Sequence, residues 1–317
     1  MCHTVRQIPA LEGERLRRLQ LVVNPSAGGG RAGARLPATE AALRSAGHDV
    51  VVTPTRSLEH ADELASAAVA DDRIVVAMGG DGIVGRIAGI VAATGGVMAA
   101  LPGGRGNDFC RAAGIPADLS SACALLSGGQ VRALDLGIVS SDTGEATFLG
   151  IASIGFDSEV QERVLQSRLP LGQLVYLVSS FAAIAGWRPA QFSCTVDGAP
   201  LEVRGWAVAV ANSGVYGSGM RLAPDASMED GSLDVVSTAA TGRLRFARSL
   251  PKVFRGTHVE DPSVTVQRGR VVELAADRPF RVFADGDPVG TLPCTVTVHP
   301  GAVRVVLPDA TTPPPSR

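Results

Sequence analysis

The sequence predicts two domains: a Rossmann-like parallel α/β domain, then an antiparallel β-sandwich or barrel, with an active-site cleft between them. Three observations carry this reading. Apolar strands and helical-period segments alternate from Leu19 to about residue 128, the rhythm of a parallel sheet with helices on both faces. From Ala190 onward short strands dominate, at 190–197, 201–211, 233–238, 263–267, 270–275, 280–284, 291–298 and 302–307. Asp197-Gly198, Asp285-Gly286 and Pro300-Gly301 punctuate them, as turns punctuate antiparallel domains.

Residues 1–18 are polar and arginine-bearing and read as a loosely held arm. The first domain then runs over 19–137, with strands at 19–24 and 48–53 and an alanine-rich helix at 31–46. Ser57 can cap the helix that runs to Ala70. Ile74 to Met78 is apolar without alternation, as in a strand buried on both faces. Ile83, Ile87, Ile90 and Val91 follow at helical spacing, Val97 to Leu101 is the next strand, and 119–126 the next helix. A β-rich second domain is assigned to 138–299, a strand returning to the first domain to 300–308, and a disordered tail to 309–317.

One helix interrupts the strands, at 243–254. Arg245, Arg248, Lys252 and Arg255 share one face, and Phe246, Leu250 and Val253 the other. It reads as a core-packed helix with a solvated basic face; an anionic membrane surface is the alternative.

The 317 residues are 45% hydrophobic and 19% charged, a core-forming composition. A net charge of −2 and 4% aromatic residues argue against a nucleic-acid partner. Five scattered cysteines without a CxxC pair suggest reduced thiols, and residues 1–18 lack the apolar core of a signal peptide. Residues 169–187 carry no charge and approach the ~20 residues of a membrane span. Pro170, Gly172, Gln173, Ser179, Ser180 and Gly186 dilute that segment, so a buried or lipid-contacting helix is expected instead.

Two glycine turns carry the chemistry. Gly79-Gly80-Asp81-Gly82 and Pro102-Gly103-Gly104-Arg105-Gly106-Asn107-Asp108 each follow a predicted strand. Backbone N–H groups at such a strand-to-helix junction attract phosphate, and both turns end on the sheet edge where ligands bind. Gly28 to Gly33 also fits GxGxxG, but Asn24-Pro25-Ser26-Ala27 separates it from its strand, and no acid ends the second strand. A P-loop fails because Ala34-Arg35 stands where Lys-Ser/Thr is required.

The pair GGDG and PGGRGNDF, preceded by Asn24-Pro25-Ser26-Ala27-Gly28, resembles the catalytic domain shared by diacylglycerol kinases, sphingosine kinases and bacterial lipid kinases. The resemblance runs from about Leu19 to about Pro308. It implies a kinase using ATP and Mg²⁺, with the nucleotide at Asn24, Gly79, Gly80, Asp81, Gly82, Gly103, Gly104, Arg105, Gly106, Asn107 and Asp108. It places Asp81, which also counts as catalytic, with Asp108 and Asp135 around Mg·ATP. Asp135 has the equal alternative of a strand-end turn acid. In the DGD sequence the resemblance makes Asp287 the general base on a lipid hydroxyl, where relatives carry glutamate. The turn from Ala223 to Asp234 resembles a structural Mg²⁺ loop, with Ser227, Asp230 and Ser232 as ligands.

The chain departs from the family pattern at Ile83, Gly85, Arg86 and Arg105, which stand where threonine, asparagine, glutamate and threonine are usual. Arg105 can clamp phosphate and so compensate for Ile83. The expectation is a lipid kinase acting on a diacylglycerol-like or sphingoid-like acceptor, cytoplasmic and peripheral at the inner membrane face. Its partner is a lipid at a membrane surface, with a homodimer left open. The alternatives are a soluble-substrate kinase of the NAD kinase type and a non-catalytic nucleotide- or lipid-binding homologue.

Overall fold

The computed structural model describes residues 16–167 and 174–309. Most of the expected N-terminal arm, residues 168–173 of the uncharged segment, and the expected tail apart from Asp309 lie outside the described residues.

The first domain is a parallel sheet built from β1 (Arg18–Val23), β2 (Asp49–Pro54), β3 (Ile74–Gly79) and β4 (Met98–Pro102), in the order β2-β1-β3-β4. Its strands are buried, with Leu19, Val22, Val76 and Met78 at 0% exposure, which is why they read as unbroken apolar runs. Around them pack α1 (Arg31–Ser45), α2 (Leu58–Ala70), α3 (Asp81–Thr94), α4 (Asp108–Ala112) and α5 (Leu119–Gly128). Ser57 does cap α2, accepting a hydrogen bond from the His60 N–H. Arg17 and Arg18, assigned to the arm, are ordered: Arg17 is buried and Arg18 opens β1.

The second domain is antiparallel. β5 (Gln130–Ser141) and β6 (Gly144–Phe148) form a hairpin, and β7 (Ile151–Gly155) begins after a break at Leu149-Gly150. α6 (Phe156–Gln166), which the sequence reading left out, and α7 (Leu174–Gly186) follow. Among the described residues no helix is long and apolar enough to cross a membrane. Then come β8 (Ala190–Val196), β9 (Ala199–Ala211), β10 (Leu233–Ala239), α8 (Arg243–Val253), β11 (Val264–Gly269) and β12 (Val271–Ala276). β13 (Arg281–Ala284), β14 (Asp287–Thr291) and β15 (Cys294–Leu307) complete the chain. Phe156, Trp187, Trp206 and Phe246 stack into an aromatic cluster that seats α6 and α8 on the sheet.

The two strands expected at 291–298 and 302–307 are one. β15 pairs antiparallel with β12 through Cys294–Thr297 and, after a register shift between His299 and Val303, lies parallel to β4 at Val305. A bulge at Pro300-Gly301 bends the strand without ending it, and the strands of both domains become one continuous hydrogen-bonded sheet.

Candidate active site

Three glycine-bearing turns meet at the carboxyl edge of the parallel sheet, and they touch backbone to backbone. The Gly103 N–H donates to the Gly79 carbonyl at 3.2 Å. A Cβ placed on Gly104 would sit 2.6 Å from Gly80 Cα, and one on Gly28 would sit 2.7 Å from the Gly103 carbonyl oxygen. Only glycine permits these approaches. Asn24 accepts the Ser26 N–H and fixes the first turn. Asn107, at φ 51°, accepts the Gly104 N–H at 2.7 Å and ties the third. Gly80 caps α3, so the N–H groups of Asp81, Gly82 and Ile83 start the helix without intrahelical partners. Ile83 packs over Gly79, and Arg105 is exposed.

These turns form one wall of a cleft of about 1080 Å³ whose opposite wall is the second domain; Asn24, Gly80, Asp81, Arg105, Thr147 and Asp287 all line it. The Asp81 carboxylate accepts the Phe109 N–H at 2.9 Å. Asp108 accepts the Ser218 N–H at 2.8 Å and pairs with Arg111. A Cβ on Gly106 would lie 3.0 Å from Oδ2 of Asp81 and 3.0 Å from Oδ2 of Asp108, so the two carboxylates converge on one point. Desolvation in the cleft raises the pKa of both, and the Asp108 and Asp285 charges raise Asp81 further.

The DGD turn divides its labour. Asp285 points inward and accepts three backbone N–H bonds, from Leu149, Gly150 and Ile151, at 2.9, 2.9 and 3.2 Å. Those bonds favour its ionised form, yet desolvation dominates and pushes it up to about 7. Asp287 reaches the cleft, and its carboxylate presses on the first turn of α3: a Cβ on Gly82 would lie 2.7 Å from Asp287 Cγ and closer still to Oδ2. Enclosure raises its pKa as well.

The structure therefore brings together Asn24, Gly79 to Gly82, Gly103 to Asp108 and Asp287. It does not bring Asp135 to them. Asp135 is 2% exposed, with its carboxylate held by the N–H groups of Gly231 and Gly301, and it anchors the 225–232 turn and the β15 bulge. Ser227, Asp230 and Ser232 do share that turn. However, Asp230 already accepts the Ser232 N–H and faces Arg268 at 3.4 Å, so an ion there would have to displace the guanidinium.

Gly85, noted in the sequence only as a departure from the family pattern, and Gly89, not noted at all, make a glycine face on α3 with Gly82. A Cβ on Gly85 would meet Asp285 Oδ2 at 2.8 Å, and one on Gly89 would meet Thr147. The signal was available, because glycines at i, i+3 and i+7 in a helix cost stability unless something packs there. Arg86 lines the cleft paired with Asp62 through two hydrogen bonds of 2.7 and 2.6 Å.

The diacylglycerol kinase catalytic domain family matches residues 18–139, and the YegS C-terminal NAD kinase beta sandwich-like domain family matches residues 150–307. A diacylglycerol kinase of Mycobacterium tuberculosis is 31% identical over 302 residues, covering 94% of this chain and 97% of its own. The chain belongs to the diacylglycerol kinase family. A probable lipid kinase YegS-like protein of Pseudomonas aeruginosa is 33% identical over 277 residues, covering 86% of this chain and 89% of its own. A putative diacylglycerol kinase of Bacillus anthracis, 20% identical, superposes with a TM-score of 0.75 over 96% of this chain and 100% of its own, which shows the same fold. In this member of the diacylglycerol kinase family, the stretch between the two matched regions contains the β6 strand, which packs on the glycine face of α3.

Proposed function

We propose that this protein transfers the γ-phosphate of ATP to the hydroxyl of a diacylglycerol-like or sphingoid-like lipid, with Asp287 as general base. The observation that carries this is the contact between Asp287, from the second domain, and Gly82, in the first turn of α3, whose amino end lines the cleft. Phosphoryl transfer needs a phosphate cradle, charge neutralisation and a base near the acceptor; the cleft holds candidates for all three.

The glycine turns and the N–H groups that begin α3 hold the phosphate oxygens. Arg105, exposed at the cleft, adds a guanidinium to them. Asp81 and Asp108 fit a Mg²⁺ ion, because two convergent, desolvated carboxylates supply oxygen ligands and a charge that a hard cation relieves. Among the described residues no cluster of three or more acidic, histidine or cysteine side chains could hold an ion, so phosphate oxygens and water would complete its coordination, the usual Mg²⁺ arrangement. Such an ion supplies neutralisation of charge on the transferring phosphoryl group. Asp287 accepts the proton of the lipid hydroxyl as its oxygen bonds to phosphorus, and ADP leaves. A carboxylate whose pKa is raised toward neutrality is the stronger base.

The test is transfer of labelled γ-phosphate from Mg·ATP to a total lipid extract in mixed micelles, with Asp287→Asn beside the wild type. A labelled lipid whose formation Asp287→Asn reduces on the order of 10²–10⁴-fold supports the assignment. Nucleotide binding without any labelled lipid would sink it, and NAD would be the next acceptor offered.

A further inference from the structure

Among the helices between β7 and β11, α7 exposes large apolar side chains. In α7 the serines Ser179 and Ser180 are buried at 7% and 8% exposure, while Val178 and Phe181 are 47% and 49% exposed. Ala182 and Ala185 are also exposed, so the outward stripe at i, i+3, i+4 and i+7 is apolar and α7 carries no charge. A helix facing water shows the opposite arrangement. Next to it, α8 buries Phe246 and Val253 and exposes Leu244 at 65%, one turn before Arg248. Arg245, Arg248, Lys252 and Arg255 are exposed around it. Arg245 pairs with Asp261; the side chains of Arg248, Lys252 and Arg255 have no ion-pair partner among the described residues. Phe254, 42% exposed, flanks the same helix. α7 packs against both α8 and α6, and the carboxyl end of α6 presents Leu165, 56% exposed, at the cleft.

An uncharged apolar stripe beside three unpaired cations is complementary to one surface above others. Acyl chains accept the stripe, and anionic headgroups accept the cations. We infer that the outer faces of α7 and α8 form a docking site for an anionic lipid bilayer, which brings the cleft mouth at Leu165 to the membrane. The inference places the partner of the lipid kinase proposed above and rests on that reading only for the identity of the cleft. The net charge of −2 does not oppose it, because attraction acts within a Debye length of about 8–10 Å and is set by the local cations.

The full chain is sedimented with vesicles of phosphatidylcholine alone or mixed with phosphatidylglycerol. Beside it run Arg248→Glu/Lys252→Glu, and separately Phe181→Asp, both at exposed positions outside the cleft. The wild type is expected to sediment with the mixed vesicles, far less with phosphatidylcholine alone, and less as salt rises. The double variant should lose about thirtyfold or more in binding, since each basic residue contributes about fivefold, and Phe181→Asp should also bind weakly. Each variant should still phosphorylate a monomeric short-chain diacylglycerol at the wild-type rate. Absence of wild-type binding to the mixed vesicles would overturn the inference, as would variants that bind like the wild type. So would a concentration-dependent dimer that Phe181→Asp splits with no vesicle binding, because a second copy would then be the occupant. Should no lipid be phosphorylated while wild-type binding and its loss in the variants persist, the surface stands and the kinase reading falls.

Discussion

Replacing Gly82 by alanine separates the fold from the chemistry at one position. Gly82 is the second residue of α3 and does not occupy the positive-φ region, so the backbone accepts alanine, and helix propensity favours it by up to about 1 kcal/mol. The new Cβ, however, would lie 2.7 Å from Asp287 Cγ. Carbon atoms settle at about 3.5–4.0 Å, so Cγ must withdraw by about 1 Å and Oδ2, which lies closer still, by more. The carboxyl group sits at the end of a side chain that can rotate, and the fold gives way cheaply. Catalysis does not: a 1 Å misplacement costs on the order of 10²-fold, or about 2.7 kcal/mol of activation free energy. The assay is kcat for labelled phosphate transfer to the lipid identified in micelles, with Tm and nucleotide affinity measured on the same preparation. The expected variant has a Tm at or above that of the wild type, with kcat reduced about a hundredfold. A kcat within about threefold of the wild type, far short of that loss, would refute the claim that Asp287 acts from where it rests on α3.

Three further outcomes follow from the same cleft. Asp81 is held protonated above the ordinary carboxylate range by burial and by Asp108 and Asp285, so the folded chain binds more protons than the unfolded one between about pH 4 and neutrality. Stability of the metal-free protein should therefore fall as pH rises through that window; Mg²⁺ should restore Tm most at the upper end, and Asp81→Asn should flatten the profile. Asp285→Ala strands the N–H groups of Leu149, Gly150 and Ile151 and should cost about 3 kcal/mol or more in urea unfolding; a loss well under about 1 kcal/mol would contradict the anchoring role. Arg105→Ala should raise the KM for ATP about tenfold with Tm unchanged, and unaltered kinetics would remove Arg105 from the phosphate site.

The parts of this architecture written in local periodicity were legible. The strand-to-glycine junctions at Gly79 and Gly103 announce themselves because an unbroken apolar run ends on residues that only a close backbone approach explains. Asp81, Asp108 and Asp287 were singled out through the resemblance; Asp81 and Asp287 line one cleft and Asp108 lies beside Asp81. Asp285 and Asp287 stand two residues apart with the same side chain, and nothing local says which points inward; the amides of Leu149, Gly150 and Ile151, more than 130 residues away, decide it. Asp135 reads as a strand acid equally suited to an ion or a turn, and its partners, Gly231 and Gly301, lie in later parts of the chain. α6 carried a local signal too, since Phe156, Val160 and Val164 recur at helical spacing among charged residues, and it was within reach of the sequence. The single strand β15 was read as two because Pro300-Gly301 looks like a terminator; it continues because β5 lies alongside both halves.

That strand also sets the order in which the molecule can be completed. β15 is the backbone neighbour of β4 at Val305, so that edge of the first-domain sheet stands open until the whole second domain has been synthesised. An open edge beside an apolar sheet is the kind of surface that pairs with other chains. The nascent protein must shield it for the time needed to synthesise the second domain. A fragment ending before residue 294 should inherit the same exposure permanently, and the two halves that look separable on paper are best produced as one polypeptide.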